Sequence, residues 1–96
     1  MPVVTIGLIL YKGEKYLPFS IPSLLDQDYP HIEYLFRDQS PNGEAYEFLQ
    51  KNFAKLLNQK KVHVEKGENL WHSGGHNVLI NRMKGAYYIA ASYDML

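Results

Sequence analysis

Apolar runs and stretches with helical spacing alternate four times along this chain. Residues 3–11 form a continuous run rich in Val3, Val4, Ile6, Leu8, Ile9 and Leu10, the pattern of a strand covered on both faces. Residues 15–27 then place Leu17, Ile21, Leu24 and Leu25 on one helical face. Pro18 suits a first helical turn, but Pro22 lies deeper and lacks the amide a regular helix uses, which predicts either a start near Ser20 or a local kink. Tyr29-Pro30 closes this helix, and residues 32–36 form a second strand. The segment from Asp38 to Gly43 is turn chemistry, and residues 44–58 carry Tyr46, Leu49, Phe53, Leu56 and Leu57 on one helical face.

A short third strand is expected over 61–65. A loop with Gly67, Asn69 and Trp71 follows, and Ser73 is placed to cap a helix running to about Met83, with Gly85 ending it. Residues 86–91 are a fourth apolar run. Strands and helices alternating over such short connections imply right-handed crossovers and a parallel sheet, an α/β Rossmann-like fold in one domain over 1–96. Polar clusters stand where each apolar run ends: Tyr11 to Glu14, Asp38 to Ser40, Glu65 to Asn69, and Ser92 to Asp94. In an open parallel sheet these positions converge on one crevice and so on one small molecule, which reads as a nucleotide-binding half-domain.

Composition narrows the partners. Lys plus Arg number ten and Asp plus Glu number ten, so the chain lacks the basic field that dominates nucleic-acid affinity. Cysteine is absent, which removes disulfides and thiolate metal sites and fits a reducing compartment. No apolar stretch approaches the roughly 20 residues of a membrane span, and no secretory leader is visible. A cytoplasmic location without nucleic acid or membrane partners is the expectation.

The candidate residues each have two readings. Asp38 either accepts backbone amides within its turn or recognises a ligand at the strand end. Tyr11 is either an ordinary aromatic or a stacking surface for a base. Glu65 and Lys66 are either solvated charges or, for the lysine, a partner for a diphosphate. Gly74 and Gly75, at an expected helix start, present amides suited to an anion. Tyr16, Tyr46 and Tyr87 fall where core packing accounts for them. His72 and His76 stand four apart, but no third ligand with suitable spacing accompanies them, which argues against zinc.

The sequence also resembles family 2 glycosyltransferases with the GT-A fold. Residues 4–17, V-T-I-G-L-I-L-Y-K-G-E-K-Y-L, look like the family's opening strand and turn. Ser23 to Pro30 with Ile32-Glu33 is similar to its S-L-L-x-Q-x-Y-P-x-I-E stretch. Asp38 to Gly43 resembles its base-holding turn, which here either is one residue short or carries Arg37 where an Asp is frequent. Asn69 to Asn77 is similar to the N-x-G-x-x-x-G-x-N region of rhamnosyltransferase-like members, and Ser92-Tyr93-Asp94 sits where the family places a D-x-D or N-x-D metal motif.

The resemblance covers the N-terminal, donor-binding part of such a domain. It implies transfer of a sugar from a nucleotide-diphosphate sugar to an acceptor hydroxyl, on a saccharide or lipid-linked saccharide. Leu10, Tyr11 and Asp38 would line the base, and Glu65, Asn69, Gly74, Gly75 and Asn77 would face ribose and diphosphate. Asp94 would hold magnesium or manganese. Taken alone, the 96 residues are expected to bind donor without transferring sugar. Two alternatives stand beside this reading: a non-catalytic nucleotide-binding module, and an interaction domain that self-associates through an exposed sheet edge.

Overall fold

A computed structural model describes residues 2–11, 17–26 and 29–91, the side chains of Ser20 and His72 excepted. Its elements are β1 (Val4–Leu10), α1 (Leu17–Leu25), β2 (Ile32–Asp38), α2 (Glu44–Asn52), α3 (Ala54–Gln59), β3 (His63–Lys66), α4 (Trp71–Arg82) and β4 (Tyr87–Ala91). The four strands lie in the order β3-β2-β1-β4, and every pair is parallel. The fold is therefore the Rossmann-like α/β arrangement that the alternating pattern predicts.

Strand alternation divides the core in two. Ile6, Leu8 and Leu10 of β1, with Tyr34 and Phe36 of β2, pack against Leu17, Ile21 and Leu25 of α1, Ala45 and Leu49 of α2, and Leu57 of α3. Side chains of the opposite parity, Ile9 and Leu35, meet Leu79 of α4, with Met83 and Tyr88 beside them. Each fully buried aliphatic side chain contributes about 1.5–3 kcal/mol by leaving water. Because β1 has a partner strand on each side and helices on both faces, its residues from Thr5 to Leu10 are all buried.

Several expected boundaries change. Helix α1 begins at Leu17 and carries Pro22 inside it, so the later start near Ser20 does not form. The stretch expected as one helix over 44–58 is two. Phe53 leaves helical geometry at φ −129° and ψ 16°, which lets its ring lie 6.2 Å from that of Phe48 while Leu57 still reaches the core. Helix α4 starts at Trp71 rather than after Ser73, and ends at Met83 in extended geometry rather than at a left-handed Gly85.

Gly85 answers to close approach instead. A Cβ there would stand 2.4 Å from Thr5 Oγ1 and 2.8 Å from the Val3 carbonyl. Glu33 ties this turn to the sheet, its Oε1 accepting from Thr5 Oγ1 at 2.6 Å and from the Lys84 amide at 2.8 Å. Gly7 has a related role. Tyr88 lies across β1, where a Cβ on residue 7 would overlap its hydroxyl, and that hydroxyl sits 2.5 Å from Nδ1 of buried His76. Tyr87, expected in the core, is 62% exposed on the outer strand β4.

Candidate functional site

The carboxyl ends of β1, β2 and β3 are fastened to one another. The Gln39 amide donates to the Leu10 carbonyl at 2.8 Å, and the Gly67 amide donates to the Asp38 carbonyl at 3.0 Å. Beyond these ends opens a crevice of about 670 Å³, lined by Tyr11, by residues 39–43 and by residues 66–69. Three of the four polar clusters named from the sequence contribute to its wall. The fourth, Ser92 to Asp94, lies outside the described residues, as do Lys12, Gly13, Glu14 and Tyr16.

Tyr11 is 43% exposed at the mouth of the crevice, and Lys66 stands on the opposite strand end with its Nζ 5.0 Å from the centre of the Tyr46 ring. Gly43 precedes α2 in the left-handed region at φ 69°, and its lack of a side chain leaves space for the stem of Lys66. Asn69 uses its Oδ1 to receive the Trp71 amide at 2.9 Å.

Asp38 is fully buried, and both of its carboxylate oxygens are occupied. Oδ1 accepts the Ser40 amide at 2.8 Å and Oδ2 accepts the Tyr46 amide at 2.7 Å. Asp38 thus holds the turn and caps the first turn of α2, the first of the two readings open from sequence. Its influence on the crevice runs through Ser40 to Gly43.

The remaining expected site residues take other places. Leu10 is fully buried in the larger core, its carbonyl serving Gln39. The Glu65 side chain is nearly buried: Oε2 accepts from Arg37 Nη1 at 2.6 Å, and Oε1 forms an ion pair with Arg82 Nε at 2.9 Å, so it is not a solvated charge and does not line the crevice. Gly74 and Gly75 fall inside α4 instead of at its start, so neither offers one of the free amides found at a helix's first turn. A Cβ on Gly75 would stand 2.7 Å from Gln39 Oε1 and 2.8 Å from Ile9 Cδ1, so this glycine lets the helix press against the sheet. Asn77 is exposed on α4 and outside the crevice lining.

Two residues carry more of the site than the sequence reading assigned them, Arg37 and Gln39. Both are buried, and together they join β2, β3 and the loop before α4. The signal for them was an arginine directly following the apolar run Tyr34 to Phe36, which must find several acceptors once buried. Trp71 is the other unexpected feature. It corresponds to the glycine of the N-x-G pattern, yet its backbone keeps a left-handed φ of 61°, held by Asn69 at its amide and Gln39 Nε2 at its carbonyl. Its indole is 76% exposed.

Among the described residues no group of three His, Cys, Asp or Glu side chains is placed to hold a metal ion. No helix among them is long and apolar enough to cross a membrane.

No family model and no curated protein matches the chain. Solved structures do. A mannosyltransferase, PcManGT from Pyrobaculum calidifontis, in complex with GDP-mannose and Mn2+, superposes with a TM-score of 0.84 at 18% identity, over 97% of this chain and 28% of that one. S. aureus TarS superposes with a TM-score of 0.74 at 20% identity, over 96% of this chain and 16% of that one. The chain thus spans between a sixth and about a quarter of these proteins. Over that span it has the fold of a portion of glycosyltransferases, a parallel Rossmann-like sheet with alternating helices.

Proposed function

We propose that this chain is the donor-binding part of a family 2 type glycosyltransferase, which takes a nucleotide-diphosphate sugar and serves transfer of the sugar to an acceptor hydroxyl. The observation that carries the reading is the crevice at the carboxyl ends of three adjacent parallel strands, where Tyr11, residues 39–43 and residues 66–69 surround one polar space. Open α/β sheets bind their ligands at this edge. The bound GDP-mannose of the first solved neighbour supports the same class of ligand.

In this reading Tyr11 offers its ring to the base, the Ser40 to Gly43 turn set by Asp38 borders it, and Asn69 faces the ribose. Lys66 supplies the positive charge nearest the diphosphate. In the transfer itself, the acceptor oxygen forms a bond to the anomeric carbon as the bond to the diphosphate oxygen breaks, and a base takes the acceptor's proton. Acceptor, base and sugar pocket belong to the greater length of such enzymes. A divalent cation, magnesium or manganese, would neutralise charge on the departing diphosphate. By the resemblance, Asp94, which lies outside the described residues, would hold that cation together with the phosphates.

Calorimetry with uridine, guanosine and deoxythymidine diphosphates tests the proposal. Saturable binding of at least one, weakened in Tyr11→Ala and Lys66→Ala, is the expected result. Absence of binding for all three, with the chain folded, would sink it. The outer strand β4, with Tyr87 and Ile89 more than half exposed, favours self-association through a sheet edge as a second reading. Sedimentation that depends on chain concentration, without nucleotide affinity, distinguishes it.

A further inference from the structure

The Arg37 side chain is only 7% exposed, and its three nitrogens point at three different segments. Nε donates to Gln39 Oε1 at 3.1 Å, Nη1 to Glu65 Oε2 at 2.6 Å, and Nη2 to the Glu68 carbonyl at 3.2 Å. Gly67 passes so close that a Cβ there would fall within 2.5 Å of the guanidinium. The guanidinium therefore fixes the path of the loop leaving β3.

Gln39 extends the same control forward. Its Nε2 donates to the Trp71 carbonyl at 3.1 Å and toward Asn69 Oδ1 at 3.4 Å, while its Oε1 receives the Leu70 amide at 3.4 Å. Gly67, Glu68 and Asn69 line the crevice, and Gln39 does too. A buried arginine on the far side of the wall thus reaches five consecutive wall and rim residues, two directly and three through one amide. Glu65 accepts from Arg37 at one oxygen and pairs with Arg82 at the other, so the arginine is charge-compensated and held from behind.

We infer that Arg37 is a positioning residue that, acting through Gln39, holds the 67–71 wall of the crevice in the shape that receives the nucleoside. The inference rests on the proposed nucleotide reading for its ligand, but not for its geometry. A planar fork of donors is what the arrangement uses, and lysine has the charge without the fork. Arg37→Lys keeps a cation opposite Glu65 and loses the fixed spacing to Gln39 and Glu68. Gln39→Ala leaves the Arg37–Glu65 pair intact and removes the forward half of the relay.

The experiment follows hydrogen exchange by mass spectrometry in peptides covering 67–71 and in peptides from β1, alongside titration with uridine and guanosine diphosphates. In both variants exchange of 67–71 should rise on the order of tenfold while β1 keeps its protection, the signature of local rather than global opening. Affinity for whichever diphosphate binds the parent chain should fall on the order of tenfold, and a nucleoside lacking phosphates should lose as much, since the wall faces the nucleoside. Arg82→Gln, which leaves the fork in place, should change neither readout.

Exchange rising equally in 67–71 and β1 would show a merely structural role and overturn the inference. So would a loosened loop with unaltered affinity. Should Arg37→Lys not fold, Gln39→Ala decides alone by the same two readouts. A parent chain that binds no diphosphate would refute the proposed function, and the exchange comparison would still decide whether Arg37 holds the wall.

Discussion

Asp38 Oδ2 accepts the amide of Tyr46 at 2.7 Å, so the last residue of β2 caps the first turn of a helix that begins beyond an intervening turn. The same carboxylate receives the Ser40 amide. The carboxylate that receives both amides is fully buried. Asp38→Ala should therefore destabilise the fold by about 1–3 kcal/mol, the cost of unpaired buried amides, and Asp38→Asn by less because one amide oxygen remains as acceptor. Urea denaturation of the three proteins measures this. Equal midpoints would remove Asp38 from its capping role.

Trp71 holds a left-handed backbone at φ 61° while exposing its indole, so its side chain gives little burial in return for the strain. A bulky residue in this region costs on the order of 1–3 kcal/mol, and glycine adopts it without steric penalty. Trp71→Gly should raise the thermal midpoint, part of the gain being offset by the greater freedom of glycine in the unfolded chain. A lowered midpoint would mean that the indole is stabilised by contacts that outweigh the backbone strain.

Lys66 borders the crevice with its ammonium over Tyr46 and no acidic side chain fixed to it among the described contacts. Lys66→Ala should weaken nucleoside diphosphate binding by about 1.5–3 kcal/mol, the range for a charge-assisted hydrogen bond, and leave binding of the corresponding nucleoside nearly unchanged. Raising salt should narrow the gap between parent and variant. Parallel loss for nucleoside and diphosphate would place Lys66 at the base instead.

Burial pushes the Tyr88 hydroxyl up to about 12 from its ordinary value near 10, and the hydroxyl also meets His76. The folded chain therefore binds the phenolic proton more tightly than the unfolded chain does. The stability linked to it is fully present below pH about 10 and is lost as pH rises through about 12. Denaturation across this window should show a steeper decline for the parent than for Tyr88→Phe. Identical slopes would mean that Tyr88 titrates as an ordinary surface phenol.

The parallel sheet was legible because apolar runs and helical periods alternate plainly, and because β1 is apolar on both faces. Residues 44–58 misled for a physical reason: a helical period survives a one-residue break when both halves pack on the same sheet face, as the pieces ending at Asn52 and starting at Ala54 do. The crevice was legible as strand ends, and Tyr11, Asn69 and the residue 39–43 turn do border it. Glu65 reads from the residues as a solvated charge and faces a ligand only by the resemblance, because its partner is not visible in the sequence. Arg37 lies far from it in sequence, and only pairing of β2 with β3 brings the two together. Gly75 reads as a helix-start glycine with an amide for an anion until helix α4 is seen to need close contact with Gln39 and Ile9.

The register of β1 with β4 sets the order in which the chain can complete itself. Val4, almost the first residue, lies beside Tyr87, near the end of the described chain. The pairing of β1 with β2 closes over a much shorter loop and can form early. Until synthesis delivers Tyr87 to Ala91, the most apolar strand of the sheet has one flank of unpaired backbone groups, a template for another chain to occupy. Nascent chains should be most prone to clumping in that interval, and folding of residues 4–91 should be limited by this distant closure rather than by formation of their helices.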